Sequence, residues 1–152
     1  MKRSIRLEKI ADIKLGVENI ARVSLTSART QYQSQENQLK QLQVYKEEYQ
    51  QRLHTRLKNT ISANEIQDYQ YFFSTLDKAI SQQSDVVKQC AIQVAASRNN
   101  WLNKKQAVSK ISRVAESLRK LEFAAQQKSE QKESDELNLR LFATDQGFLK
   151  PH

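Results

Sequence analysis

IQDYQYFFSTLDKAISQQSDVVKQCAIQVAASRNNWLNKKQAVSKISRVAESLRKLEFAA, residues 66–125, holds one heptad register for nearly nine repeats. Position a reads Ile66, Phe73, Ile80, Val87, Val94, Trp101, Val108 and Ala115. Position d reads Tyr69, Leu76, Gln83, Cys90, Ser97, Lys104, Ile111, Leu118 and Ala125. The eight a residues from Ile66 to Ala115 are all apolar, and a period of 3.5 keeps such a seam on one side of a helix facing a partner helix. The stretch therefore predicts a long helix paired lengthwise with another, with Lys104 as a polar interruption of the seam.

Working back along the chain, the pattern breaks over Asn59 to Glu65, and Ser62 followed by Glu65 has the spacing of a capping box. This predicts a turn at 59–64, a first helix over about 3–58 and a second over about 65–125. The first helix carries Ile10, Ile13, Val17 and Ile20 in one register and Leu39, Leu42, Tyr49 and Leu53 in another, with a phase shift expected between Ser24 and Tyr32. So short a turn favours antiparallel neighbours, in which residue i lies opposite about 122 minus i. Tyr49 would then meet Phe73, and Ile10 would meet Ser112. At a rise of about 1.5 Å per residue the arms would form a stalk of roughly 80 Å. Residues 126–152 have no counterpart on the first arm and are expected to form a flexible tail, or one ordered by a partner.

Composition supports an all-α, elongated hairpin. Apolar residues make up 38% of the 152-residue chain and aromatics 7%, poor provision for a compact core. Glycine occurs only at Gly16 and Gly147 and proline only at Pro151, leaving almost no turn chemistry for a sheet. Cys90 is the sole cysteine, which excludes a disulfide framework and a multi-thiolate zinc site. Lys2, Arg3, Arg6 and Lys9 near the start are not followed by an apolar run of signal or membrane-span length, so the chain reads as cytoplasmic. His54 and His152 have no companion ligands, Glu47 and Glu48 point in different directions on one arm, and no Gly-rich phosphate cradle occurs. The reading is of a binding protein with no catalytic residue, metal or cofactor.

Two surface features depart from a plain coiled coil. Tyr45 and Phe72 are large aromatics at g, a flank position where small or charged residues are expected. In an antiparallel pair g faces g, and the d/g strip joins Gln38, Leu42, Tyr45 and Tyr49 on the first arm to Phe72, Leu76, Ala79 and Gln83 on the second. An aromatic strip of this kind marks a contact surface, and Tyr71 adds an aromatic at the outer f position. Charge is the second feature. Residues 1–30 carry seven basic and three acidic side chains, and residues 98–120 carry seven and one, while 31–97 balance. The open end of the hairpin, with Arg98, Lys104, Lys105, Lys110, Arg113, Arg119 and Lys120, is thus basic and suited to an acidic protein surface or to nucleic acid.

The segments QLKQLQVYKEEY (38–49), ISANEIQDYQYFF (61–73), LDKAISQQ (76–83), WLNKKQ (101–106) and QKESDEL (131–137) closely resemble the FliJ family of the flagellar type III export apparatus. The resemblance covers most of the chain, is concentrated around the turn and is weak before Gln31. It implies a two-helix stalk similar to the coiled-coil part of the gamma subunit of rotary ATPases, monomeric on its own. The partners it implies are the hexameric flagellar export ATPase, the cytoplasmic domain of the export-gate protein FlhA, and flagellar export chaperones. The place it implies is the cytoplasmic side of the inner membrane at the flagellar base, peripherally attached. The family's gate-binding positions fall on Gln38, Leu42, Tyr45, Tyr49, Phe72, Leu76 and Ala79, the strip derived above, with Gln83 standing where a relative has histidine. The basic end would face the ATPase. Two other readings remain at this point: a basic coiled-coil module of a nucleic-acid-associated assembly, weakened by sparse basic-aromatic interleaving, and a homodimeric spacer.

Overall fold

The computed structural model of the chain describes residues 2–149, with side chains described through 145; His152 and Pro151 lie outside the described residues. Two helices account for it: α1, Arg3–Leu57, and α2, Ala63–Leu149. Among the described residues there is no strand. The fold is all-α, as the heptad pattern requires. Neither helix meets a proline, and strong helix formers such as Gln, Leu, Lys, Ala and Glu dominate both.

Contacts group the chain into two compact units, Gly16–Lys105 and the terminal pair Met1–Leu15 with Gln106–His152. In the first unit the turn is built as the capping spacing predicts. The Glu65 N–H donates to Ser62 Oγ at 3.2 Å, and the Ile66 N–H donates to the Ser62 carbonyl at 3.2 Å. The other half of the capping box is used differently. Instead of reaching back to Ser62, the Glu65 carboxylate receives Arg56 Nε at 3.0 Å and Nη2 at 3.1 Å, a two-pronged pair that ties the end of α1 to the start of α2. The hydrogen bond from Glu65 and its charge raise the Arg56 guanidinium above its ordinary value.

Opposite partners in this unit follow the antiparallel alignment closely. Gln35 meets Gln83, Lys46 reaches Asp77 at 2.7 Å, and Tyr49 stacks on Phe72 with ring centroids 4.0 Å apart. Tyr49 thus packs on the residue beside the expected Phe73.

Along α2 the expected a and d rows face inward, with Leu76, Ser97 and Ala115 buried and the remaining a residues half-buried. Two members depart from the rule. Lys104 is exposed, since a flexible stem and a charged head are better left in water than desolvated at d. Ala125 is also exposed, because α1 begins at Arg3 and its first turn already lies opposite Glu122.

On α1 the structure corrects the sequence reading. The inward residues of the first unit are Glu18, Ala21, Leu25, Ala28, Tyr32, Gln35, Leu39, Leu42, Lys46, Tyr49 and Leu53, alternating by three and four without a break. There is no phase shift between Ser24 and Tyr32. In the terminal pair Ser4, Leu7, Ala11 and Lys14 turn inward instead of Ile10 and Ile13. The isoleucines and Val17 are exposed, Ile13 at 68% and Ile20 at 72%. The reason lies across the seam. Trp101 brings an indole N–H that must find an acceptor when removed from water, and Glu18 Oε1 accepts it at 2.7 Å. Ala21 and Leu25, at 5% and 3% exposure, pack tightly in the same row. Turning the isoleucines inward would forfeit these partners.

The terminal pair is held by polar contacts of its own. The Ser4 N–H, one of the amides left without a partner at the start of a helix, donates to Glu122 Oε1 at 3.3 Å, and the Ser4 hydroxyl donates to Glu122 Oε2. Arg119 pairs with Glu8. No acidic residue lies in the first turn of α1, so the α2 carboxylate supplies its N-terminal charge. Helix α2 continues to Leu149, beyond the Ala125 boundary, and every residue from 123 to 145 is exposed. Its local support comes from hydrogen bonds one turn apart, Gln126 to Glu130 at 3.2 Å and Gln131 to Asp135 at 3.0 Å.

The Ser4 hydroxyl, followed by its backbone amide and the charge of Lys2, holds the Glu122 carboxyl below its ordinary 4.5. A folded-state value depressed in this way contributes stability above the unfolded value, and that contribution is lost as pH falls through the folded value. Amide exchange protection at the start of α1 is therefore expected to stay level from neutral pH down to 4.5 and to drop below it. The drop should be shallower in Ser4→Ala; an unchanged profile there would show that Ser4 does not hold Glu122.

Candidate functional site

The d/g strip is assembled entirely within the Gly16–Lys105 unit, and its members divide by exposure. Gln38 is exposed and Tyr45 is 56% exposed, whereas Leu42, Tyr49, Phe72 and Ala79 are half-buried and Leu76 is buried. Tyr49 and Phe72 stack on each other, Tyr69 meets Tyr49 edge-on at 6.4 Å, and Arg52 lies over the Tyr49 ring at 5.1 Å. Phe73 meets Phe72 edge-on at 6.3 Å. These rings form one continuous aromatic cluster across the two helices, about three turns from the loop at the Tyr49 level. Tyr45 stands beside the cluster with its ring free to be covered. Phe72 contributes to packing and surface at once.

Gln83 is committed elsewhere. Its Nε2 donates to the Gln35 carbonyl at 2.8 Å and to Gln35 Oε1 at 2.8 Å, so its amide closes a polar gap in the seam. Sequence reasoning placed it on the strip by spacing, and spacing does not reveal that an α1 backbone carbonyl takes its protons. Tyr71, at f, is 77% exposed.

The basic residues fall in both units and are taken separately. In Gly16–Lys105, Arg98, Lys104 and Lys105 are exposed, and Lys105 Nζ lies over the Trp101 ring at 5.0 Å. In the terminal pair Lys110, Arg113, Arg119 and Lys120 are exposed; Arg119 is engaged by Glu8, and Lys120 is 4.0 Å from Glu116. At such exposure these ion pairs contribute little to stability and leave the charges accessible to a partner.

Among the described residues no three His, Cys, Asp or Glu side chains come together as metal ligands, and no helix is long and apolar enough to cross a membrane.

A pair of long antiparallel helices with an aromatic flank cluster and exposed basic side chains defines a class, the two-helix hairpin proteins. The sequence model of the family described as "Flagellar FliJ protein" matches residues 1–147. A flagellar FliJ protein of Escherichia coli (strain K12) is 33% identical over 124 residues, covering 82% of this chain and 84% of the relative. One from Salmonella typhi is 32% identical over 135 residues, covering 88% and 91%. No solved structure matches. The chain belongs to the FliJ family of flagellar export proteins.

Removing the Gln83 amide leaves the Gln35 carbonyl without that donor. Gln83→Ala is expected to lower the stability of the helix pair by about 1 kcal/mol, the usual net worth of such a hydrogen bond. Thermal unfolding measures it, and a loss of partner binding at unchanged stability would instead place Gln83 in a contact surface.

Proposed function

We propose that this FliJ-family chain couples the hexameric flagellar export ATPase to the export gate, acting as a gamma-subunit-like stalk and as an escort for export chaperones. The observation that carries the reading is the aromatic cluster on the flank, with Tyr45 exposed beside the Tyr49–Phe72 stack. An exposed aromatic that adjoins a stacked aromatic cluster is the kind of surface that a partner covers. The cytoplasmic domain of FlhA is the partner assigned to Gln38, Leu42, Tyr45, Tyr49, Phe72, Leu76 and Ala79. Gln83 supports that surface from within the seam.

The ATPase is assigned to the basic side chains, Arg98, Lys104 and Lys105 in one unit and Lys110, Arg113, Arg119 and Lys120 in the other. A stalk that presents different side chains to successive subunits of a ring biases their conformations by differential binding, and needs no catalytic group of its own. The stretch 126–152, exposed wherever its side chains are described, is read as a segment ordered by a partner. Attachment at the inner membrane follows, on this reading, from the gate contact. The alternative, a nucleic-acid-associated module, draws on the same basic residues, and salt-sensitive binding to arbitrary duplexes would favour it.

Tyr45→Ala is expected to weaken gate-domain binding roughly thirtyfold, about 2 kcal/mol, with little change in thermal stability. Phe72→Ala should lose both binding and stability, because its ring is stacked on Tyr49. If Tyr45→Ala binds normally, the gate assignment fails.

Charge reversal at Lys110 and Arg113 is expected to weaken ATPase binding while gate binding and helicity persist. Unchanged ATPase affinity at physiological salt would remove that assignment.

A further inference from the structure

The patch occupies part of a flank along which one stretch has an unusual property. From Val17 to Tyr45 the g row of α1 reads Val17, Ser24, Gln31, Gln38 and Tyr45, and all five are exposed; toward the turn the row continues into the charged Arg52. From Phe72 to Asn100 the g row of α2 reads Phe72, Ala79, Val86, Gln93 and Asn100, and toward the turn it begins with the charged Glu65. The c positions beside this stretch, from Ile20 to Gln41 on α1 and from Thr75 to Asn103 on α2, are exposed and uncharged as well, while the charged c residues Glu48 and Asp68 lie nearer the turn. No Asp, Glu, Lys or Arg stands among the g and c positions of this stretch, although 28% of the chain is charged and outward sites are where charges belong.

Level with this stretch, the opposite flank does carry charge. Positions e and b carry Arg22, Arg29, Glu36 and Lys40 on α1. On α2 they carry Asp77, Lys88, Arg98 and Lys105. Solubility alone gives no reason for such a division, since charges on both flanks would serve it better.

The two g rows lie on one side of the pair. A single groove of about 370 Å³ is lined by Ser24, Ser27, Ala28 and Gln31 from α1 and by Cys90 and Gln93 from α2. Small side chains at its floor allow close approach, and the valley between two helices receives a third helix at an axial separation of about 8–10 Å. The flank from Val17 to Tyr45 spans roughly 40 Å at 1.5 Å per residue. Covering it desolvates amides and hydroxyls, which a partner's polar groups can satisfy, and no charge. Covering the opposite flank would strip water from eight charged side chains. A second copy of this chain is disfavoured as the occupant, since each carries a net charge of +8.

We infer that the partner docked on Tyr45 extends an uncharged α-helical face along this flank, through the groove between Ser27 and Gln93. The inference rests on the reading of the aromatic patch as the gate-facing surface and lengthens that surface by several turns toward Val17 and Asn103. It assigns the occupant a chemistry: a helix with small or apolar residues and uncharged hydrogen-bonding groups toward the groove, and its charges turned away.

The test uses the full chain and the cytoplasmic domain of the gate protein. Gln31→Glu with Gln93→Glu adds two charges inside the groove at constant shape, and Gln33→Glu with Gln43→Glu adds the same two on the opposite flank. Circular dichroism checks helicity in each. The groove pair is expected to lose at least tenfold in affinity and the control pair less than twofold. Cys90, the one thiol and a lining residue of the groove, supplies a second reading: its alkylation should slow at least fivefold in the wild-type complex. If the groove pair binds like the control and Cys90 reacts unchanged while Tyr45→Ala still loses binding, contact stops at the patch and the inference is overturned with the patch reading intact. If Tyr45→Ala binds normally but the groove pair fails and Cys90 is protected, the flank stands and the patch reading falls. If neither site matters, both fall. Cys90 protection that grows with the concentration of the chain alone would identify a second copy as the occupant and overturn the inference.

Discussion

A strict 3.5-residue period on α1, matched to the same period on α2, is the constraint from which the remaining features follow. Once Glu18, Ala21, Leu25 and Ala28 turn inward, every other residue of α1 in that unit has its direction assigned. The seam is thin, containing alanines, glutamines and a lysine as well as leucines, so burial is modest along most of its length. Stability in such a pair is distributed over many small contributions, each about 0.8 kcal/mol per buried methylene, with no dense core to dominate. This leaves the flanks free to be specialised without endangering the fold.

Polar contacts across the seam supply what a thin apolar seam does not, a unique alignment. Apolar side chains in a heptad tolerate a slip by one repeat, whereas a donor must meet its acceptor. Gln83 on the Gln35 carbonyl, Trp101 on Glu18 and Arg56 on Glu65 penalise slippage in one unit, and Glu122 on Ser4 does so in the terminal pair. The aromatic stack of Tyr49 on Phe72 adds a shape-specific contact near the turn. The d/g strip depends on this alignment, because it exists only when g of one helix lies beside g of the other.

The proposed coupling role and the proposed docking flank share one physical logic. A helix pair exposes long, distinct faces, and each can be given its own chemistry at little cost in stability. Between Val17 and Tyr45 one flank of the Gly16–Lys105 unit carries uncharged side chains and the opposite flank carries charges, and the aromatic cluster with Arg52 lies nearer the turn. Separate partners can thereby be selected by separate faces, with an uncharged flank rejecting occupants that would bury an unpaired charge.

The sequence by itself determined the helical class, the position of the turn, the antiparallel sense and the inward face of α2. Each rests on local chemistry: the scarcity of glycine and proline, the Ser62 cap, and a row of apolar a residues from Ile66 to Ala115. It also marked Tyr45 as out of place at g. It misdirected the reading of α1, where Ile10, Ile13, Val17 and Ile20 are the most apolar set and yet face water. Periodicity ranks a face by the hydrophobicity of one helix alone, whereas pairing selects the face whose shapes and polar groups suit the other helix. Only the tertiary structure decided that Glu18 belongs inside, because only there does it meet the Trp101 indole, and that Gln83 serves the seam, because its acceptor is a backbone carbonyl on α1. The groove beside Cys90 is of the same kind: its lining residues are some sixty positions apart in the chain, and the packing of the two helices alone makes them neighbours.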